Sequence, residues 1–386
     1  MESTRSSWGV LGALFAGAIA QPYLGCLPEP EPATRLDGSK AVLNDIRDEV
    51  VVPTLDRFLD DLAALSEALD GASTRTAARP AFLRAMETWQ ELEVMQIGPA
   101  GSALGGENLR DEIYSWPTVN PCRVDQMTAT GHYAAPGFLD ESLVNSYGLD
   151  AIEVLLFAPP GENSCPSFVA PNQDGEWGAL STETIEARRI EYALVAARGV
   201  LSTAEHLRAS WTEPGGFGAS LTTAGEVTSG FADDLEAINA VFGAMFYLDE
   251  VTKDAKLAVP LGLRPDECST ACAGRLEAQL SGSATAWVVA NLRGFRNLFT
   301  GGDGAGFDDL LANMGEGALA ERIIDNTDAA IAIGEQTPEL STLLPDDSDP
   351  AIALHHSIER IADDLHGDLV TLLSLRIPVE AAGDND

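Results

Sequence analysis

The chain has 386 residues with 60 acidic side chains against 23 basic ones, a formal charge of −37. Its only lysines are Lys40, Lys253 and Lys256. Phosphate backbones are repelled by such a surface, so nucleic acid is excluded as a partner. The acidity itself is what a generic salt-tolerant surface shows, and it carries no argument for a cation-related role.

At the N-terminus Arg5 precedes an apolar stretch from Trp8 to Ala20 that ends in small residues. A permanent membrane span needs about 20 apolar residues, so this stretch suits a secretory signal instead. Tyr23-Leu24-Gly25-Cys26 is similar to the Leu-x-Gly-Cys pattern at which bacterial lipoproteins are cleaved and acylated. Residues 1–25 then read as a signal peptide and Cys26 as the lipidated residue, with ordinary signal cleavage as the alternative. Both readings export the chain to the bacterial cell envelope, facing the periplasm or the cell surface. Residues 26–39 include Leu27-Pro28-Glu29-Pro30-Glu31-Pro32, a stiff extended tether that lifts the domain off a membrane. Giving Cys26 to a lipid leaves Cys122, Cys165, Cys268 and Cys272, an even number. Pairing them as 122–165 and 268–272 is favoured over a zinc site, because the Cys-x-x-Cys spacing is missing.

Helix-period patterns dominate the rest and alternating β-branched runs are nearly absent, which predicts an all-α fold. The first long helix is expected over Ala41 to Leu69, with Ile46, Val50, Leu55, Phe58, Leu62 and Leu65 near one face and a kink at Pro53. Further helices are expected over Thr76 to Ile97, Pro136 to Phe157 and Ser181 to Trp211. The second half adds 231–257, 275–299, 317–334 and 349–374. Eight helices divided by a Gly-rich hinge at 214–226 predict two packed four-helix bundles, 40–213 and 227–386. Segments 98–135 and 158–180 read as long irregular loops, each carrying one cysteine.

The segment from Tyr147 to Phe157 is the most informative. Leu149, Ile152, Val154, Leu155, Leu156 and Phe157 surround the helix, and a helix apolar on all sides is buried. Asp150 and Glu153 nevertheless share one side of it. Buried carboxylates must be paired, protonated or metal-bound, so an internal salt bridge to Arg110 or Arg123 and a functional site both stand open.

Gly148-Leu149-Asp150-Ala151-Ile152-Glu153 and the following Val154-Leu155-Leu156-Phe157 resemble the imelysin-type motif Gly-x-His-x-x-Glu and its Tyr-Leu-Leu-Phe continuation. Other blocks follow in order. They are Trp89 with Gly98-Pro99, Leu109-Arg110-Asp111-Glu112-Ile113-Tyr114-Ser115-Trp116-Pro117, Cys122-Arg123-Val124-Asp125-Gln126 and Lys256-Leu257-Ala258-Val259-Pro260-Leu261-Gly262. Glu277, Ser281, Ser283 and Asn291-Leu292-Arg293-Gly294 complete the set. The resemblance spans roughly residues 40–386. It implies a two-bundle helical fold, an exported or lipid-anchored state, a site near the bundle interface, and an association with bacterial iron uptake or with metallopeptidases.

One departure matters. Asp150 stands where the motif has His, and Asp is an oxygen ligand suited to Fe, Mn or Ca more than to zinc. No His-Glu-x-x-His occurs either. The resemblance therefore favours a non-enzymatic lipoprotein that binds iron, another divalent metal or an iron complex through Asp150 and Glu153. It makes Gly148, Arg110, Trp116, Glu277, Ser281 and Ser283 supporting residues. The alternatives are a metal-dependent peptidase with Glu153 as general base, and a purely structural or docking lipoprotein.

A second cluster is His355, Glu359, Asp363 and His366 on the last helix, beside the core stripe Ile358, Ile361, Leu365, Leu369 and Leu372. It offers donors for a divalent ion, but reads first as a solvated face. Trp116-Pro117 reads as a packing corner. Ser281 and Ser283 lack the neighbours of a hydrolase, and the glycines of 301–306 form a loop, not a phosphate cradle.

Overall fold

The computed structural model describes residues 38–101, 107–373 and 375. The signal, the tether up to Asp37 and Cys26 lie outside the described residues. Among those described, all regular structure is helical, as expected, and no helix is long and apolar enough to cross a membrane.

The first long helix forms where the periodicity places it, and Ile46, Val50, Leu55, Phe58, Leu62 and Leu65 are all buried. The expected kink at Pro53 is absorbed. A π-helical turn, Ile46–Val51, sits directly before Pro53, and helical backbone continues through Val51 and Val52 into Val52–Asp70. The Thr54 hydroxyl donates to the Val50 carbonyl at 2.7 Å. This helix packs on Arg75–Glu93 and Thr182–Thr212, which also contact the short helix Leu149–Phe157. The last carbonyls of Leu149–Phe157 are claimed by arginines. Arg75 donates to Leu155 and Ala158 at 3.0 and 2.9 Å, and Arg79 to Leu156 at 2.8 Å. Groups that a helix C-terminus leaves unpaired thereby fix the helix that bears Asp150 and Glu153.

In the second half, Leu248–Ala258, Ala284–Thr300, Gly317–Gln336 and Asp349–Asp364 pack together. The halves meet where Ala284–Thr300 crosses Arg75–Glu93. A Cβ at Gly294 would collide with the Glu91 carbonyl, so only glycine permits this close crossing.

Four expectations about elements are corrected. The helix expected over Pro136 to Phe157 is three short pieces, Phe138–Glu141, Val144–Ser146 and Leu149–Phe157, because Ser142 and Leu143 are extended and Gly148 takes φ +95°. The helix expected from 275 starts at Ala284, since Ala278 and Gly282 adopt left-handed φ of 52° and 66°. The loop expected over 98–135 contains Leu109–Ile113 and Pro121–Thr130. The latter is capped by Asn120, which accepts the Arg123 N–H at 3.1 Å. The 214–226 segment carries Phe217–Thr222, with Phe217 edge-on to Trp211. The disulfides are those expected by counting. Cys122–Cys165 ties Pro121–Thr130 to the 158–180 segment, and Cys268–Cys272 closes a local loop.

Candidate functional site

The site starts at Gly148. A Cβ there would lie 3.0 Å from both the Ile113 carbonyl and Asp150 Oδ1, in addition to the strain of its positive φ. Gly148→Ala is expected to cost about 1–3 kcal/mol of stability, measured by denaturant unfolding. Directly after it, Asp150 lies in the first turn of Leu149–Phe157, where a helix favours negative charge. Its Oδ1 accepts the Ala151 N–H at 2.9 Å. Oδ2 accepts the Ser115 N–H at 3.1 Å and the Ser115 hydroxyl at 2.6 Å. Burial nevertheless dominates and pushes the Asp150 carboxyl up to about 7.

One turn on, Glu153 Oε1 accepts the Ser281 N–H from the second half of the chain at 2.8 Å. Burial raises the Glu153 pKa as well, against the lowering effect of Ser281. Neither carboxylate meets a lysine or arginine in an ion pair among the described residues. Arg110 instead binds Glu93 at 2.8 Å and Asp111 at 2.9 Å, and Arg123 turns to Gln126 at 3.2 Å. The internal salt bridge that the sequence left open is not what the fold builds.

Behind this pair lies a buried polar network that the sequence reading did not assemble. Lys256, 1 % exposed, donates to Gln90 Oε1 at 2.6 Å, Glu93 Oε2 at 3.1 Å and Asn291 Oδ1 at 3.0 Å, and pairs with Glu277 Oε2 at 3.1 Å. Tyr114 donates to Glu277 Oε1 at 2.8 Å. Burial raises Glu93, but Lys256 and Arg110 more than offset it and hold its pKa below the usual value. Glu277 moves the other way: burial raises it, and its share of Lys256 does not compensate. Tyr114 feels Glu277, Glu93, Glu153 and Asp150 together, so the network and the acidic pair are electrostatically continuous.

A cleft of about 570 Å³ opens onto Asp150 and Glu153. Its walls include Trp116, Pro117, Val154, Leu276 and Leu280, and its polar lining includes Asp125 and Glu162. Arg189 fixes one rim by donating to Asp125 at 3.2 Å and to the carbonyls of Pro159 and Glu162. Both halves of the chain supply lining. Trp116, read as a packing corner, therefore faces the cleft.

The sequence profile described as Imelysin matches residues 51–375. The chain belongs to the imelysin family. Its fold is similar to that of a Parabacteroides distasonis ATCC 8503 protein, provisionally named iron-regulated protein A precursor. That match has 17 % identity and a TM-score of 0.68, covering 87 % of this chain and 95 % of that one. It is also similar to an imelysin-like protein from Psychrobacter arcticum 273-4, with 16 % identity and a TM-score of 0.64, covering 89 % and 97 %. No curated protein matches the sequence.

Within this imelysin fold the supporting residues separate into distinct roles. Ser281 reaches Glu153, Glu277 belongs to the Lys256 network, and Gly148 shapes the start of the acidic helix. Ser283 is the N-cap residue of Ala284–Thr300, where Glu339 accepts the Ala284 and Thr285 amides at 3.1 and 3.2 Å. Sequence reasoning missed Gln90, Glu93, Ser115, Lys256 and Asn291 as parts of the site. A signal existed: Gln90 and Glu93 are three apart on a helix whose other inward positions are mostly apolar, and Lys256 is one of three lysines.

The second expected cluster does not form as a stripe. His366 bonds Asp249 at 2.6 Å, Asp363 is exposed, and Arg322 occupies Asp364 and Asp368. His355 and Glu359 stay near one another and are joined by His356.

Proposed function

We propose that this imelysin-family chain is a metal-binding protein of the bacterial cell envelope, anchored by a lipid on Cys26. Asp150 and Glu153 hold iron, as the ion or as a complex, for uptake. The observation that carries this reading is a pair of carboxylates, Asp150 buried and Glu153 half-buried, that line an open cleft and meet no lysine or arginine in an ion pair among the described residues. Asp150 Oδ2 is filled by two Ser115 donors, which leaves one lone-pair direction on Oδ1. Glu153 Oε1 accepts the Ser281 N–H, and the Ser281 and Leu280 donors hold this carboxylate at the cleft. Two oxygen donors, held rigidly by serine and backbone amides, fit a hard cation. The positive charge offsets the burial that raises both groups.

The cleft is also far larger than a bare ion needs and has apolar walls, which favours a metal bound within a small complex. The name of the Parabacteroides neighbour supports iron as the metal. No histidine lines the cleft among the described residues, so the two-imidazole zinc chemistry of common metallopeptidases lacks its ligands here.

The test is elemental analysis and calorimetric titration with Fe²⁺, Mn²⁺, Zn²⁺ and Ca²⁺, with wild type beside Asp150→Ala/Glu153→Ala. One equivalent of iron in the wild type and at least about tenfold weaker binding in the variant is the expected result. Equal binding by both proteins, or none by either, overturns the assignment.

A further inference from the structure

The last long helix, Asp349–Asp364, supplies no residue to the cleft. Its donors are of a different kind. One ligand atom from each of His355, His356 and Glu359 lies within 4.8 Å of the others. His355 and Glu359 are one helical turn apart on the same side, and the His355 and His356 rings stand 5.7 Å apart at an angle of 67°. His355 is 8 % exposed and its Nδ1 has no hydrogen-bond partner, an unusual condition for a buried imidazole.

We propose that His355, His356 and Glu359 form a second metal site, for a borderline divalent transition ion such as Zn²⁺ or Cu²⁺. Two imidazoles and one carboxylate with a fourth position left to water is a donor set that suits these ions. Ligand atoms around a tetrahedral ion lie about 3.4 Å apart, so closing the site takes rotation of the exposed His356 and the half-buried Glu359. The backbone need not move.

His355 is prepared as a ligand. Burial and the nearby Lys253 depress its pKa to about 4, so the ring is neutral at physiological pH and pays no deprotonation on binding. The Lys253 charge is itself countered by Asp249 at 2.8 Å and Asp254 at 3.4 Å. The site also differs from the cleft in ligand type: nitrogen-rich here, oxygen-only there. It does not depend on the iron reading of Asp150 and Glu153.

Electron paramagnetic resonance of Cu²⁺ added to the full chain reads the ligands directly. The other exposed imidazoles are removed by a His132→Ala/His206→Ala background. One equivalent of Cu²⁺ with splitting from two nitrogens is expected, reduced to one nitrogen with at least about tenfold weaker binding in His356→Ala. Glu359→Gln should weaken binding and keep both nitrogens. Asp150→Ala/Glu153→Ala should leave the spectrum unchanged. A spectrum without nitrogen splitting, or one indifferent to His356→Ala, overturns the proposal. Circular dichroism of each variant shows that the helices are retained.

Discussion

Lys256→Met should destabilise the protein by about 3–5 kcal/mol, because removing one partner from a buried ionic network leaves its remaining charge uncompensated. Methionine keeps most of the side-chain volume, so the loss reports the ammonium and not a cavity. Lys256 donates to Gln90, Glu93 and Asn291 and pairs with Glu277, so its removal strips cations or donors from four buried groups at once. Glu93 retains Arg110, but Glu277 retains only neutral donors, Tyr114 and Gln90. The second replacement Glu277→Gln should therefore recover part of the loss, since an amide oxygen can still accept from Tyr114. Urea unfolding of the two single variants and the double variant measures this as a coupling energy. Additive losses would show that Lys256 and Glu277 do not act as a pair.

Metal-free protein should lose stability as pH rises from about 4 to 7. The folded Asp150 carboxyl titrates at about 7 against an ordinary 3.8, so between those values the native state holds a proton that the unfolded chain has released. Stability is then full below the lower value and falls until the higher one is passed. A shift of three units corresponds to something on the order of 4 kcal/mol, and Glu153, also raised, acts in the same sense. His355 opposes them: its folded pKa is lowered to about 4, so its contribution is lost as pH falls from about 6.5. Subtracting the stability profile of Asp150→Ala from that of the wild type isolates the Asp150 part. Metal bound at Asp150 must displace the same proton, so affinity should weaken about tenfold per pH unit below 7, about a hundredfold by pH 5. Calorimetry in buffers of different ionisation enthalpy would show the proton released. Affinity that is flat between pH 5 and 7 would remove Asp150 from the ligand set.

The acidic pair itself was legible early. Asp150 and Glu153 interrupt an otherwise apolar helix, and local spacing alone puts them on one side. Their partners were not legible. Ser115 and Ser281 lie 35 and 128 residues away from the carboxylates they hold, and no local pattern announces such contacts. Arg110, a natural candidate for pairing, is drawn to Glu93 by the crossing of other elements. The same holds for Lys256, which reads as one lysine among three until Arg75–Glu93, Ala284–Thr300 and the turn bearing Glu277, itself held by Tyr114, close round it.

Periodicity by itself determined the helical class, the buried faces of the long helices and the acidic pair, because each depends on residues within a turn or two of one another. Counting left four cysteines and favoured the 122–165 and 268–272 pairing among three possible ones, and the fold brings those two pairs together. Short elements around glycine went astray: Gly148 and Gly282 end or delay helices through positive φ, which composition permits but does not require. Only the tertiary structure decided that the acidic pair has no cationic partner among the described residues and faces a cleft, and that Lys256 serves Glu93 and Glu277 instead. Which charge meets which is fixed by contacts between distant segments, and those exist only once the helices have packed.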